Sequence, residues 1–309
     1  MRLYFLLPLL FAAQLSLAQT DLPKVDIDFK TASMSEVEKT LKPLFIEIRD
    51  NRDAEYKLKL NTRVYGYMQT LLKRPESFSY PFDSLKTISK LYPADSSFRI
   101  YTWEITDRDD YRTYSDHTYY GFIQRRYKRK DGSIEYIVIP LTDATDARMR
   151  IENEQLDNEN WLGALYYHPR HQTNGVMTFE GEAARYNSIT GKTKREPIKY
   201  YIMLGLNRHD IRSNYKMVEA ISFDPEDSTR ALFGLPIFHY SNINKYRVVY
   251  KYSDNAFFNL NYGHFIDKGI LFKKKREGIV FDRLQEPNEP MPSDMYMIVP
   301  SGDYDALYW

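Results

Sequence analysis

The chain has no cysteine, so it holds together without disulfides, and a lipid anchor on an N-terminal cysteine is excluded. Glycine is scarce, 13 of 309 residues, which argues against a linker-rich or low-complexity chain. Net charge is also missing. Lys+Arg 43 faces Asp+Glu 42, and the first 18 residues carry Arg2 and no acid, so the remainder stands at 43 − 1 = 42 against 42. A neutral chain lacks the basic footprint that nucleic-acid binding needs. After residue 18 no stretch is apolar enough to cross a bilayer. Also absent are the Gly-x-Ser-x-Gly elbow, the P-loop and the dinucleotide fingerprint. A Ser–His–Asp triad stays open, because its members meet only in space.

What the chain does have begins with a leader. Arg2 precedes the apolar run 3–13, and small residues stand at Ser16 and Ala18. That layout predicts a signal peptide cut after Ala18, the run being short for a membrane span. The expectation is an exported protein, periplasmic or extracellular. Its 309 − 18 = 291 mature residues suffice for a disulfide-free core. Tyr 27 and Phe 17 favour strands.

Ser33 and Ser35 each have a glutamate three residues on, the spacing of a capping box. Val37, Leu41, Leu44, Phe45 and Ile48 follow at helical intervals, with Pro43 as a kink or a second start. Leu60, Val64, Tyr67, Met68 and Leu71 form a second stripe, and a short helix is expected over 83–91. From Phe98 the period becomes two. Strands are predicted over 98–105, 118–130, 133–141, 161–167, 198–204, 217–223, 232–239, 246–252, 257–262, 278–284 and 296–299. Asp131-Gly132 marks a hairpin. Residues 142–160 read as a helix-capable insertion and 169–197 as a loop. The run 198–204 is apolar on both faces, so it is expected in the middle of a sheet. The fold class is α+β, mainly β: a signal peptide over 1–18, a helical region over 19–94, and a large antiparallel β domain over 95–309, closed as a sandwich, a barrel or a propeller-like array.

Chemistry is sparse. Asp303 and Asp305 lie two apart beside Tyr304, and Asp282 ends an apolar strand. Two such carboxyls about 5–10 Å apart would suit glycoside hydrolysis. The alternative is that they bond turn amides or pair with Arg247 or Arg283. His168 and His171 are too few for a zinc site, and His117, His209, His239 and His264 are scattered, so no metal and no cofactor is implied. The basic runs 125–130 and 273–276 read as solvated strand ends that could also contact anionic envelope polymers. Trp103, Trp161 and Trp309 could anchor a stacking surface or simply fill the core. Trp161, Arg247 and Tyr304 are the candidate ligand contacts.

A series of landmarks stands in order: Tyr80-Pro81-Phe82-Asp83-Ser84-Leu85, Phe98-Arg99-Ile100-Tyr101-Thr102-Trp103, Trp161-Leu162-Gly163-Ala164-Leu165-Tyr166-Tyr167, the strand 200–206, Phe233-Gly234-Leu235-Pro236-Ile237-Phe238, Ile279-Val280-Phe281-Asp282-Arg283-Leu284, and the terminal 300–309. Over roughly residues 78–309 the chain thereby resembles a family of uncharacterised exported proteins of Gram-negative bacteria. It departs from that pattern at Gly205-Leu206-Asn207-Arg208 and at Arg283. The resemblance implies export and brings no activity or catalytic residue. The expected function is a non-enzymatic exported envelope protein that binds a polymer, a peptide or a protein partner. The alternative is a glycosidase-like periplasmic hydrolase working through Asp282, Asp303 or Asp305.

Overall fold

A computed structural model of the chain describes residues 21–108, 115–145, 152–168, 175–187, 192–208, 212–240, 243–268, 273–286 and 298–308. The predicted signal segment 1–18 lies outside the described residues, as do His171, His209 and Trp309.

Ser33 caps α1 (Met34–Asp50). Its hydroxyl accepts from the Glu36 amide at 3.3 Å, while the Glu36 carboxylate accepts from the Ser33 amide at 3.0 Å. The helix runs through Pro43, which stands on the exposed side. Asp53 caps α2 (Ala54–Leu72), accepting from the Tyr56 amide at 3.0 Å. Both predicted stripes are buried against the sheet except Tyr67, which is half-buried and stacks on Phe29 at 4.2 Å.

The helix expected over 83–91 is instead a set of turns followed by β1 (Ser89–Pro93). Leu85, Ile88 and Leu91, three apart, imitate a helical stripe. The ladder to β2 (Phe98–Arg108), from Ser89↔Thr102 to Leu91↔Ile100, gives the backbone better partners and wins. β3 (Ser115–Lys128) and β4 (Ile134–Thr142) extend this half of the sheet. Their hairpin is a three-residue loop rather than a two-residue one. The Arg129 amide donates to the Ser133 carbonyl, and Gly132 takes φ +87°.

The insertion read as helix-capable shows turns and β5 (Leu156–Asp157) over 152–160. β6 (Leu165–Tyr167) follows. Most of the segment read as a loop is the β7 (Gly175–Asn187) and β8 (Lys192–Asn207) hairpin, paired from Met177↔Ile202 to Asn187↔Lys192. Its residues mix charges without apolar alternation, so a period of two gives no signal there. β9 (Ser213–Phe223) and β10 (Ala231–Phe233) complete the order β4-β3-β2-β1-β7-β8-β9-β10-β5, with β6 on β8.

β11 (Phe238–Tyr240) and β12 (Ile243–Lys245) form a small ribbon, and β13 (Arg247–Ser253) pairs with β9. β14 (Leu260–Lys268), β15 (Lys273–Gln285) and β16 (Val299–Leu307) form a separate three-stranded sheet. Of the strand expected at 296–299, residues 296 and 297 lie outside the described residues; β16 begins at Val299 and runs through the carboxylates, where a turn was the alternative.

The result is mainly β: two N-terminal helices packed on a curled, half-barrel sheet. β8 lies inside it, edged by β9 on one side and by β7 and β6 on the other, with Tyr201 buried. β9 is likewise shared. One edge takes β8, and the other takes β13 up to Glu219 and then β10 from Ile221. The two halves of the sheet are joined where β1 and β7 run parallel, at Tyr92↔Gly175 and Pro93↔Val176, and again at the end of β4, where Thr142 and Ala144 bond the backbone of Asn158 and Trp161. Gly175 takes φ +73° there, and a Cβ would stand 2.5 Å from Leu91 Cδ2. The three-stranded sheet covers the face of β8–β9 that carries Ile202, Leu204, Val218 and Ala220. Among the described residues no helix is long and apolar enough to cross a membrane.

Candidate functional site

Two of the residues singled out in the sequence meet inside the core. Arg247 and Glu219 are direct partners across the β13–β9 ladder, and Arg247 Nε donates to Glu219 Oε1 at 2.7 Å with both side chains wholly buried. The second Glu219 oxygen accepts from the Tyr166 hydroxyl at 2.5 Å, and Tyr166 in turn accepts from Trp161 Nε1 at 2.9 Å. Arg247 also donates to the Phe233 carbonyl at 3.0 Å and the Glu154 carbonyl at 3.1 Å. Burial and the Glu219 charge push the Tyr166 hydroxyl far above its ordinary pKa. Trp161 and Arg247 are therefore committed to the interior and cannot touch a ligand from outside. The alternation that marked the β13 strand as half-wet put Arg247 on the wrong side of the reckoning, since Glu219 compensates its charge.

The carboxylates are held locally. Asp282 Oδ2 accepts from the Asn259 amide at 2.6 Å. Arg283 forks onto Asp305 at 3.0 and 2.7 Å and lies 3.8 Å from Asp303. The Arg283 hydrogen bond lowers the Asp305 pKa. In the β15–β16 ladder Asp282 stands opposite Tyr304 and Phe281 opposite Asp305, so Asp282 points to the other face from Asp303 and Asp305. Tyr304 is 68% exposed. None of these residues lines the clefts described here and below. His168 is exposed, and no group of three potential metal ligands comes together among the described residues.

A cleft of about 680 Å³ opens where the end of β3 meets the base of the β7–β8 hairpin and the end of β9. Arg125 is its centre. The guanidinium lies 4.3 Å from the Phe223 ring centroid and 5.2 Å from that of Tyr127, and Nη1 donates to the Ser228 carbonyl at 2.9 Å. Burial pulls its pKa below the usual arginine range. Tyr201 shares a hydrogen bond with Ser97 at 2.8 Å and donates to Asp95 at 3.1 Å, and Lys199 pairs with Asp95 at 2.5 Å. Ser222 also lines the cleft, fully buried, with a hydroxyl that has no hydrogen-bond partner among the described residues. Arg126 and Lys128 stand exposed at the rim with no ion pair among the described residues.

No family model, curated protein or solved structure matches the chain. The cleft is therefore read from its own chemistry. A delocalised cation held between two rings and rim cations without ion pairs among the described residues suit a ligand that offers ring faces and negative charge together. Proximity along the chain could not show this, because Arg125, Tyr201 and Phe223 come from three strands. The one available signal was parity. Arg125 shares its strand face with buried Ile123 and half-buried Tyr127, so it belongs to the inner face of a run that reads, as a block, like a solvated edge.

Asp95 sets the acid limit of this wall. Burial raises its pKa, but the hydrogen bonds from Lys199 and Ser97 more than offset that, and the carboxyl ends below its ordinary value. A depressed folded pKa contributes stability that is complete above the unfolded value near 3.9 and is lost as pH falls through the folded one. Urea midpoints measured from about pH 6 to about pH 2.5 should fall toward the acid end, and Asp95→Asn should flatten part of that fall. An unchanged slope in Asp95→Asn would show that the pair with Lys199 does not contribute.

Proposed function

We propose that the protein is an exported, non-enzymatic envelope protein whose cleft at Arg125 binds an anionic polymer built of rings, an acidic polysaccharide. The observation that carries this reading is Arg125 itself. It is desolvated between Phe223 and Tyr127, with Arg126 and Lys128 at the rim forming no ion pair among the described residues. A sugar ring stacks on such aromatics while its carboxylate or phosphate meets the cations. Export rests on the leader at residues 2–18 and on the resemblance to exported proteins of Gram-negative bacteria. The hydrolase alternative draws no support from Asp282, Asp303 and Asp305, which are held by a backbone amide and by Arg283 on two faces of one sheet.

The test compares polygalacturonate with neutral dextran, binding the purified chain at low salt. Polygalacturonate should bind and dextran should not. The double variant Arg126→Ser/Lys128→Ser should weaken the acidic polymer about tenfold, as two rim charges of roughly 0.5–1 kcal/mol each imply. Added salt should narrow that difference. Equal binding of both polymers, or an unaltered double variant, would refute the reading. N-terminal sequencing of the protein recovered from the periplasm should begin at Gln19.

A further inference from the structure

On the other side of the β1–β7 seam lies a second cleft, about 730 Å³ in volume, where β1 and β2 face β6 and β9. Four cations line it, Lys86, Lys90, Arg99 and Lys216, against one carboxylate, Asp83; Lys86 and Asp83 are exposed at its edge. The other three, Lys90, Arg99 and Lys216, are each fastened to the backbone. Lys90 Nζ donates to the Phe82 carbonyl at 2.7 Å and the Leu85 carbonyl at 2.6 Å, and Arg99 Nη1 donates to the Tyr80 carbonyl at 2.5 Å. Lys216 Nζ donates to the Phe258 carbonyl and sits 5.6–5.8 Å from the ring centroids of Tyr167, Phe257 and Phe258. None of the three forms an ion pair with a carboxylate among the described residues.

That arrangement leaves charge unanswered. An ammonium has three donors, of which Lys90 has spent two and Lys216 one. Removing a cation from water is unfavourable unless an anion or several dipoles replace the hydration. Burial accordingly pulls both lysines below the usual ammonium range. The wall also carries apolar and aromatic side chains, Leu165, Leu206 and Tyr92 among them, beside the polar Thr87, Ser89 and His168, and the Arg99 guanidinium lies over the Tyr92 ring at 5.4 Å. The volume of about 730 Å³ is that of a pocket for one small molecule.

We infer that this cleft is a second binding site, for a small amphipathic anion: one carboxylate or phosphate head between Lys90 and Lys216, on an apolar or aromatic body lying against Leu165, Leu206 and Tyr92. The inference stands apart from the polymer reading, since the two clefts share no lining residue.

Calorimetric titration of the full chain tests it with four probes: 4-phenylbutyrate, phenyl phosphate, inorganic phosphate, and the neutral 4-phenyl-1-butanol. At least one of the two organic anions should bind saturably and at least tenfold more tightly than the alcohol, and which of them binds more tightly identifies the head group. Lys216→Met should weaken the anion about tenfold and leave the alcohol unchanged, with a thermal midpoint equal to or above that of the parent because a desolvated charge has gone. Lys90→Met loses two carbonyl bonds, so Lys216→Met alone decides the matter if that variant does not fold. Arg126→Ser/Lys128→Ser should bind the anion as the parent does. Equal affinity for anion and alcohol, an unweakened Lys216→Met, absence of saturable binding, binding of inorganic phosphate as tight as that of the organic anions, or loss of the anion in Arg126→Ser/Lys128→Ser would each overturn it.

Discussion

Arg247→Met is expected to lower the stability of the fold by about 3–5 kcal/mol, because it leaves the Glu219 carboxylate buried without its counter-charge. Glu219 is wholly enclosed, and its other oxygen holds the Tyr166 hydroxyl, so it has no route to water. Glu219→Leu alone should be comparably harmful, for it strands both the guanidinium and the tyrosine. The informative variant is Glu219→Leu/Arg247→Met. Both charges leave together, and the remaining deficit should be about 1–3 kcal/mol, from the Tyr166 hydroxyl left without its acceptor and the Phe233 and Glu154 carbonyls left without the Arg247 donor; Tyr166→Phe should not recover it, because that change strands Trp161 Nε1. Urea unfolding of the series with linear extrapolation gives all these differences. A loss below about 1 kcal/mol in Arg247→Met would mean that the core tolerates the lone carboxylate, contrary to the desolvation argument.

Trp103→Ala should be almost as severe, about 3–5 kcal/mol, and its failure should be local at first. Trp103 is the side chain through which the helices grip the sheet. It meets Phe45 edge-on at 5.5 Å, stacks on Tyr120 at 6.0 Å, and donates Nε1 to Asn61 Oδ1 at 2.7 Å. Asn61 is 1% exposed, so its amide oxygen would be left unsatisfied as well. Circular dichroism during thermal unfolding should show helical signal lost before strand signal in the variant and together with it in the parent. Trp103→Phe, which keeps the rings in contact but loses the donor, should fall between the two. Concerted loss in Trp103→Ala would show that the helices are fixed by the rest of the stripe.

What could be read in advance followed from periodicity and end signals. Ser33 with Glu36, the two helical stripes, the Asp131-Gly132 hairpin and the doubly apolar run around Tyr201 are local patterns, and the fold keeps each of them. The failures have a common cause. Leu85, Ile88 and Leu91 carry a helical spacing that only a neighbouring strand overrides, and the β7–β8 hairpin has backbone pairing without apolar alternation. Glu219 and Arg247 are far apart in sequence, so nothing local shows that each answers the other. The cleft at Arg125 was legible only through the parity of one strand, and Ser222 and Phe223 join it through the sheet order. The carboxylates Asp303 and Asp305 meet the arginine that the sequence offered as their partner, while Asp282 bonds an amide.

The parallel contact between β1 and β7 has a further mechanical meaning. It is one of two junctions between the halves of the sheet, the other being the backbone bonds of Thr142 and Ala144 to Asn158 and Trp161, so parting the halves has to break both. Each cleft draws one wall from each half: Arg125 faces Tyr201 and Phe223, and Lys90 and Arg99 face Tyr167 and Lys216. An occupant of either cleft would act as a clasp across the join, raising the free energy of parting.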